Sequence, residues 1–368
     1  MPWSEERKCL LWLSAAEITA DRVQRLLGKY ITARGIWDAF DTAQSPNFKD
    51  KSRAVLERLH SRAALEDIIA RLEKMRIRCL FRDDGEYPEL LQSIDDPPYL
   101  LYCAGEMTAF RRPMVAVVGT RDPSRYGREM AFSIARDLAE VGVCVVSGMA
   151  RGIDSCAHEG ALKADGVTAA VLGSGLNVCY PAENRPMLRT IVARGGVAVS
   201  EYPLDAEPNT FHFPHRNRLI SGLSHGILFV EGKRQSGGML TVASALAQGR
   251  EVFAAPGQIG TIGAEGPHVI IREGARMVTC ARDVLDDLSL DLERFRPGAK
   301  AVEAALSPGQ QSIVEALRRE PLTLNELSKT TGRSAQSLME ELGVMEIMGQ
   351  VRKEKGNLFL LTQSWLHG

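Results

Sequence analysis

The sequence predicts an α/β protein with a mostly parallel, doubly wound sheet, preceded by a helical module and followed by a winged-helix module. Three observations carry this reading. From Met114 to about Leu288, short β-branched runs alternate with helical stretches, as parallel strands joined by crossover helices do. The runs are apolar at successive positions, which suits strands covered on both faces. Most of them end in Gly, Ser or Glu just before a helix, so a ligand would sit beyond the carboxyl ends of the strands.

Residues 1–75 read as helical. Leu10, Leu11, Leu13, Ile18, Val23, Leu26 and Leu27 recur at helical spacing, and Ile36, Trp37, Ala39 and Phe40 continue it. A further stretch from Ala63 through Leu72 ends near Met75. The first turn, Ala15 to Asp21, holds no glycine for a hairpin against DNA backbone, which favours simple packing there. Residues 76–113 read as a connecting segment: a strand-like run at 77–81, then a turn-rich stretch. Pro97-Pro98 halts any helix in it, because proline fixes φ and removes a donor. The segment reads as a hinge into the middle domain, 114–288. Strand runs there are VAVVG (115–119), VCVVSG (143–148), TAAVLG (168–173), VAVSE (197–201), GILFVEG (226–232), EVFAAPG (251–257) and RMVTC (276–280). Residues 289–300 lose periodicity and read as a linker. In 301–368, three helical patterns precede a hairpin. Thr323 and Glu326 fit a capping box on the second helix, Thr331-Gly332 a turn, 334–348 a third helix, and 351–360 a β-wing.

Composition narrows the function. Hydrophobic residues are 45% and charged residues 25%, and 368 residues suit two or three domains. With 45 Lys and Arg against 46 Asp and Glu, the net charge of -1 excludes a globally basic nucleic-acid coat but not a local basic groove. No apolar run reaches the ~18–20 residues of a membrane helix. Glu5 and Glu6 precede the first apolar stretch, where a secretory signal would carry positive charge. The seven cysteines are scattered with no CxxC pair, which argues against a disulfide framework or zinc ribbon and for a reducing cytoplasm.

Four turns carry candidate chemistry. Gly119-Thr120-Arg121 stands where a dinucleotide fingerprint would but lacks G-x-G-x-x-G, which disfavours NAD or FAD. Arg121 at the strand mouth reads as a phosphate clamp or as the partner of a neighbouring carboxylate. The second turn, Ser147-Gly148 to Gly152 and Asp154, exposes backbone donors, and Asp154 reads either as a helix cap or as a ligand contact. Cys156 and His158, two apart on a helix, do not face each other and make no nucleophile pair. The stretch Phe211 to Arg218 combines aromatics with cations, the two ingredients that single-stranded nucleic acid needs. His212 and His215 have metal-compatible spacing without a third ligand nearby, so no metal is expected. Read as an extended loop closed by Pro214, this stretch assigns Phe211 to the core and Phe213 to the crevice. The fourth turn, Ser236-Gly237-Gly238, opens a helix and offers N–H groups to a phosphate. No Walker A string occurs. The loop resembles that of nucleoside-monophosphate phosphoribohydrolases, with Ser244 in place of their essential carboxylate.

VAVVGTR (115–121), VVSGMARGIDSCAHEGAL (145–162), TAAVLGSGLNVCYPAEN (168–184), FPHRNRLISGLS (213–224) and the run at 236–257 together resemble the DNA-processing protein A family (DprA, also called Smf). The resemblance covers nearly all of 87–288. It implies an extended Rossmann-like domain flanked by a SAM-like helical domain and a winged helix, without catalytic residues or cofactor. It implies cooperative, sequence-independent binding of single-stranded DNA and delivery of the strand to the RecA recombinase in natural transformation and recombination. It also implies a cytoplasmic homodimer joined through the Rossmann-like domain. On matching positions, Arg121 would hold phosphate and Phe213 a base, while Arg216, Asn217 and Arg218 would shape the pocket. Gly119, Thr120, Ser147, Gly148, Gly152, Ser236, Gly237 and Gly238 would complete the DNA-binding set.

Two departures stand out. The N-terminal turn lacks the family's glycine hairpin. Residues 301–368 hold seven Lys and Arg against eight Asp and Glu, and the third helix carries Glu340 and Glu341, the wrong sign for the major groove. That module reads as a protein-interaction or regulatory unit, with weak DNA contact through Arg352, Lys353 and Lys355. The rival class is a phosphoribohydrolase in the same crevice with Glu231 as its acid.

Overall fold

The alternation of apolar runs and helices forms one large sheet in the computed structural model, which describes residues 3–290, 307–347, 350–354 and 357–361. Two compact units result, Met1–Leu292 and Glu293–Gly368. The first begins with five helices: α1 (Glu5–Ala15), α2 (Ala20–Tyr30), α3 (Ala33–Ala39), α4 (Asp50–Leu59) and α5 (Arg62–Lys74). Helix α1 starts where its sequence says it should. Ser4 accepts the Arg7 N–H at 3.2 Å, and Glu5 and Glu6 complement the positive helix end. Trp12, Ile36, Phe40 and Leu56 close the core of this module.

Then follow β1 (Ile77–Phe81), α6 (Glu89–Gln92), β2 (Leu100–Gly105), β3 (Met114–Val118), α7 (Arg125–Glu140), β4 (Cys144–Ser147), α8 (Ile153–Lys163) and β5 (Thr168–Leu172). The unit continues with α9 (Arg185–Ala193), β6 (Val197–Ser200), α10 (His212–Gly222), β7 (Gly226–Phe229), α11 (Gly237–Ala247), β8 (Glu251–Ala254), α12 (Glu265–Arg272), β9 (Arg276–Met277) and α13 (Ala281–Leu288). Among the described residues the strand order is β1-β2-β6-β5-β4-β3-β7-β8-β9. All seven expected strand runs of the middle domain are present. Pairing is parallel from β6 across to β9 and antiparallel at β1–β2 and β2–β6. The order reverses at β3, which has β4 on one side and β7 on the other. Strands β3, β4 and β5 are buried at every residue, so their sequences could not alternate.

The segment 76–113 is more than a connector. It supplies two strands, and Leu91 and Ile94 pack in one core cluster with Leu219, Ile220 and Leu223. Pro97-Pro98 is therefore no hinge: Tyr87 donates to the Pro98 carbonyl at 2.7 Å and anchors the turn. The helical module shares this edge, since Leu11, Ile69 and Leu72 cluster with Phe81 and Tyr102. The Tyr102 hydroxyl lies 2.8 Å from Ser14 Oγ.

The second unit holds α14 (Pro308–Arg319), β10 (Leu322–Thr323), α15 (Leu324–Thr331), α16 (Ala335–Ile347), β11 (Val351–Glu354) and β12 (Leu358–Leu361), its strands ordered β10-β12-β11. The capping box on α15 is present: Glu326 accepts the Thr323 N–H at 2.7 Å and Gly332 ends the helix at φ 69°. Most of the expected linker, from residue 291 on, lies outside the described residues.

Candidate nucleic-acid interface

A cavity of about 570 Å³ opens beyond β3, where the strand order reverses. Ligands of such sheets bind at that point. Gly119-Thr120-Arg121 leaves β3 into it. The Thr120 N–H donates to the Glu231 carbonyl at 2.7 Å, and the Thr120 carbonyl accepts the Ile153 N–H at 3.1 Å. A Cβ on Gly119 would stand 2.6 Å from Ile153 Cγ1 and 2.7 Å from the Glu231 carbonyl oxygen, so only glycine lets these turns converge. Arg121 is exposed, with its guanidinium carbon 5.3 Å from the Phe213 ring centroid. Nearby Arg125 and Arg151 are paired, with Glu129 at 2.7 Å and Glu183 at 2.5 Å. Arg121 has no carboxylate partner among the described residues. Of its two sequence readings, the unpaired cation is the one the structure contains.

In the second turn, Ser147 is buried and is not among the residues lining the cavity. Its hydroxyl donates to the Val117 carbonyl at 2.7 Å and stitches β4 to β3, so any contact it makes with a ligand would come from its backbone. Gly148 lines an adjoining hollow with Arg121, Tyr180 and Phe213. Gly152 does not touch the cavity. At φ 78° it keeps clear of the Arg121 backbone, whose carbonyl carbon would lie 2.7 Å from a Cβ. Asp154 does not cap α8, because Gly152 holds the N-cap position. Its carboxylate turns back to accept the Ala150 N–H at 3.3 Å on the cavity wall. Burial raises its pKa, opposed by the charge of Arg216.

The stretch Phe211 to Arg218 is helical from His212, not from Pro214. The Asn209 side chain starts the turn by accepting the N–H groups of Phe211 at 2.8 Å and His212 at 3.0 Å. In a helix, residues two apart point about 200° apart, so the two rings diverge. Phe211 is 84% exposed and is not a core residue, which overturns its half of the sequence assignment. Phe213 is half-buried on the cavity wall, its centroid 5.5 Å from that of Tyr180. The same helical steps separate the next three side chains. Arg216 is only 4% exposed and lies under the site. It donates to the Gly148 carbonyl at 2.6 Å and to the Val171 carbonyl, and burial pushes its pKa down to about 10. Arg218 turns away from the crevice, pairing with Glu201 at 2.6 Å and Asp96 at 3.3 Å. Only Asn217 of the three lines the cavity, donating to the Gly237 carbonyl at 3.4 Å.

Ser236-Gly237-Gly238 opens α11 on the opposite wall. Ser236 is the N-cap but makes no capping bond, and a Cβ on Gly237 would meet nothing within 4 Å. Free N–H groups and the positive end of the helix dipole therefore face the cavity beside Arg121, a setting that binds anions.

Other candidates are committed elsewhere. Glu231 accepts the Ser124 N–H at 3.0 Å and its hydroxyl at 3.1 Å, closing the start of α7. His158 is buried 2.7 Å from Thr168 Oγ1, and burial pushes its pKa down to about 3. His212 stacks on Tyr202, centroids 3.8 Å apart. Among the described residues no group of three or more His, Cys, Asp or Glu is placed to hold a metal. Sequence reasoning missed Tyr180 and Thr210, both on the cavity wall. Tyr180 lay within a recognised stretch, but no spacing rule sets it against Phe213.

The family described as DNA recombination-mediator protein A matches residues 78–289. The chain belongs to this family. A DprA winged-helix domain matches residues 297–357. The DprA relatives include Protein Smf of Escherichia coli, 42% identical over 252 residues, which are 68% of this chain and 67% of that one. The X-ray structure of DNA processing protein A from Streptococcus pneumoniae matches with TM-score 0.62 and 32% identity, covering 78% of this chain and 99% of that one. DNA processing protein A from Helicobacter pylori, which has a unique single-stranded DNA binding mode, matches with TM-score 0.53 and 29% identity over 58% and 96% of the two chains. The DprA match thus spans the sheet from β1 to α13, including the segment first read as a connector. Among the described residues no helix is long and apolar enough to cross a membrane.

Proposed function

We infer that this chain binds single-stranded DNA in the crevice beyond β3 and passes the strand to the RecA recombinase. The observation that carries this is a guanidinium with no carboxylate partner among the described residues, Arg121, lying over the half-buried Phe213 ring on the cavity wall and opposite the uncapped start of α11. The cation and the helix end take phosphates. The ring stacks any base, so binding is nearly sequence-neutral and favours strands whose base faces are free. Arg216 supports the floor and adds positive potential without touching the ligand. The DNA binding of the Helicobacter pylori relative and the family's description as a recombination mediator support both halves of this reading. Like its family resemblance implies, the chain works as a cytoplasmic homodimer and performs no catalysis.

Filter-binding titrations with labelled single strands, duplex and nucleoside monophosphates side by side test the binding half. Tight binding of single strands, weakened by Arg121→Ala, is expected. Equal affinity for duplex, or release of free base from the monophosphates, would overturn it. The second half predicts faster RecA nucleation on single strands when the protein is present.

A further inference from the structure

Helix α10 divides two cavities. Thr210, in the turn before the helix, lines the crevice with Phe213, Pro214 and Asn217, whose i, i+1, i+4 spacing is one face of α10. Phe211, His212 and His215 line a second cavity, of about 230 Å³, on the other side of the same helix. Its remaining walls include Tyr99 and Tyr202, with carboxylates from Glu17 and Glu201. Phe211 forms the ridge between the two.

A single exposed aromatic ring is ordinary. This one combines three features. Asn209 pins its backbone through the two hydrogen bonds described above, so the ring is presented from a fixed turn. Its neighbour Thr210 lines the crevice. A cavity large enough for a planar base adjoins the ring. We propose that Phe211 is the stacking platform for a second nucleobase, that of the nucleotide adjoining the one held at Phe213, with the second cavity receiving its edge. This proposal rests on the reading of the crevice as a single-strand site.

The charges in the second cavity select a base over a phosphate. Carboxylates repel phosphate oxygens but accept hydrogen bonds from exocyclic amino groups. They do not form a bare negative well: Glu201 is paired with Arg218 at 2.6 Å, and Glu17 Oε2 lies 3.2 Å from His212 Nε2. The backbone therefore passes along the ridge while the base turns inward. A basic side chain of a protein partner is the competing occupant. The base is favoured because a strand already held at Phe213 offers its next base at high effective concentration.

The test titrates wild type, Phe211→Ala and Phe211→Tyr with oligodeoxyadenylates lengthened one nucleotide at a time at fixed salt. Wild type should gain one affinity step of roughly 5- to 150-fold when the strand becomes long enough to reach Phe211, the worth of one stacked base. Phe211→Ala should lose that step while binding shorter strands like wild type, and Phe211→Tyr should keep it. An abasic nucleotide at the critical position should also erase it. A wild type without the step, or a step that survives Phe211→Ala, overturns the proposal. So does a Phe211→Trp fluorophore that responds to N-acetylargininamide but not to oligonucleotide, which would assign the cavity to a basic protein segment. If no strand binds at any length, or Arg121→Ala changes none of them, the crevice reading itself fails and this one falls with it.

Discussion

The sheet crevice and the winged-helix unit each place an arginine just ahead of a helix, and they treat it in opposite ways. Arg121, four residues before α7, has no carboxylate partner among the described residues and lies beside the Phe213 ring. Arg333, two residues before α16, is held by Glu341 at 2.6 Å and 3.0 Å and donates to Ser337 at 2.7 Å. On the wing, Lys353 lies 5.6 Å from the Phe359 ring centroid, while Lys355 and the side chain of Arg352 lie outside the described residues. A charge count cannot separate the two arginines. What separates them is whether a phosphate finds the cation free or must displace a carboxylate held by two hydrogen bonds. A third arginine sharpens the contrast within the crevice itself: Arg216 is a buried structural cation a few residues from the ring that Arg121 faces.

The largest expected effect breaks Arg216 apart from Arg121. Arg216→Ala strands the Gly148 and Val171 carbonyls and leaves Asp154 without its opposing charge. It should lower stability by about 3–5 kcal/mol in thermal or denaturant melts. Arg121→Ala should melt like wild type. Equal melting of all three proteins would show Arg216 to be dispensable to the fold. Next comes Phe213→Ala, expected to lose ~1–3 kcal/mol of single-strand affinity with little change in melting, because the ring is only half-buried. Early melting with normal binding would make Phe213 a packing residue instead. Smaller again is the effect of Arg121→Ala on salt dependence. One lost phosphate contact should reduce the slope of log affinity against log salt by about 0.7, and an unchanged slope would remove Arg121 from the phosphate path. The smallest effect belongs to the winged helix. Arg333→Ala, or a chain ended at Leu292 where the first compact unit stops, should keep its single-strand affinity within a few-fold. Collapse of binding in a shortened chain that stays folded would show that the second unit contributes cations the crevice lacks.

The large-scale order of the fold is legible in the amino-acid string because it rests on local rules. Apolar runs at successive positions announce buried parallel strands, and capping residues such as Ser4 and Thr323 announce helix starts. The edge strands β1 and β2 were harder to place. They flank a Pro-Pro turn, and the antiparallel pairing of β2 with β6, on which β1 then builds, joins residues about a hundred positions apart. The turns that surround the crevice were legible too, since Gly119, Arg121, Gly148 and Ser236 to Gly238 each follow a strand run. Side-chain direction was not. Reading Phe211 to Pro214 as extended put both rings on one side, whereas the Asn209 bonds begin the helix at His212 and swing them apart.

By itself, then, the sequence determined which strands and turns meet at the reversal of strand order, because periodicity and glycine placement act over a few residues. It also marked which residue types gather there. Only the tertiary structure decided which cations are free. Arg216 meets the Gly148 and Val171 carbonyls, and Arg218 meets Glu201 and Asp96, through contacts between elements far apart in the chain. Arg121 finds none. An arginine's availability to a ligand is set by the partners that packing brings within hydrogen-bond reach, and no local pattern of residues encodes that.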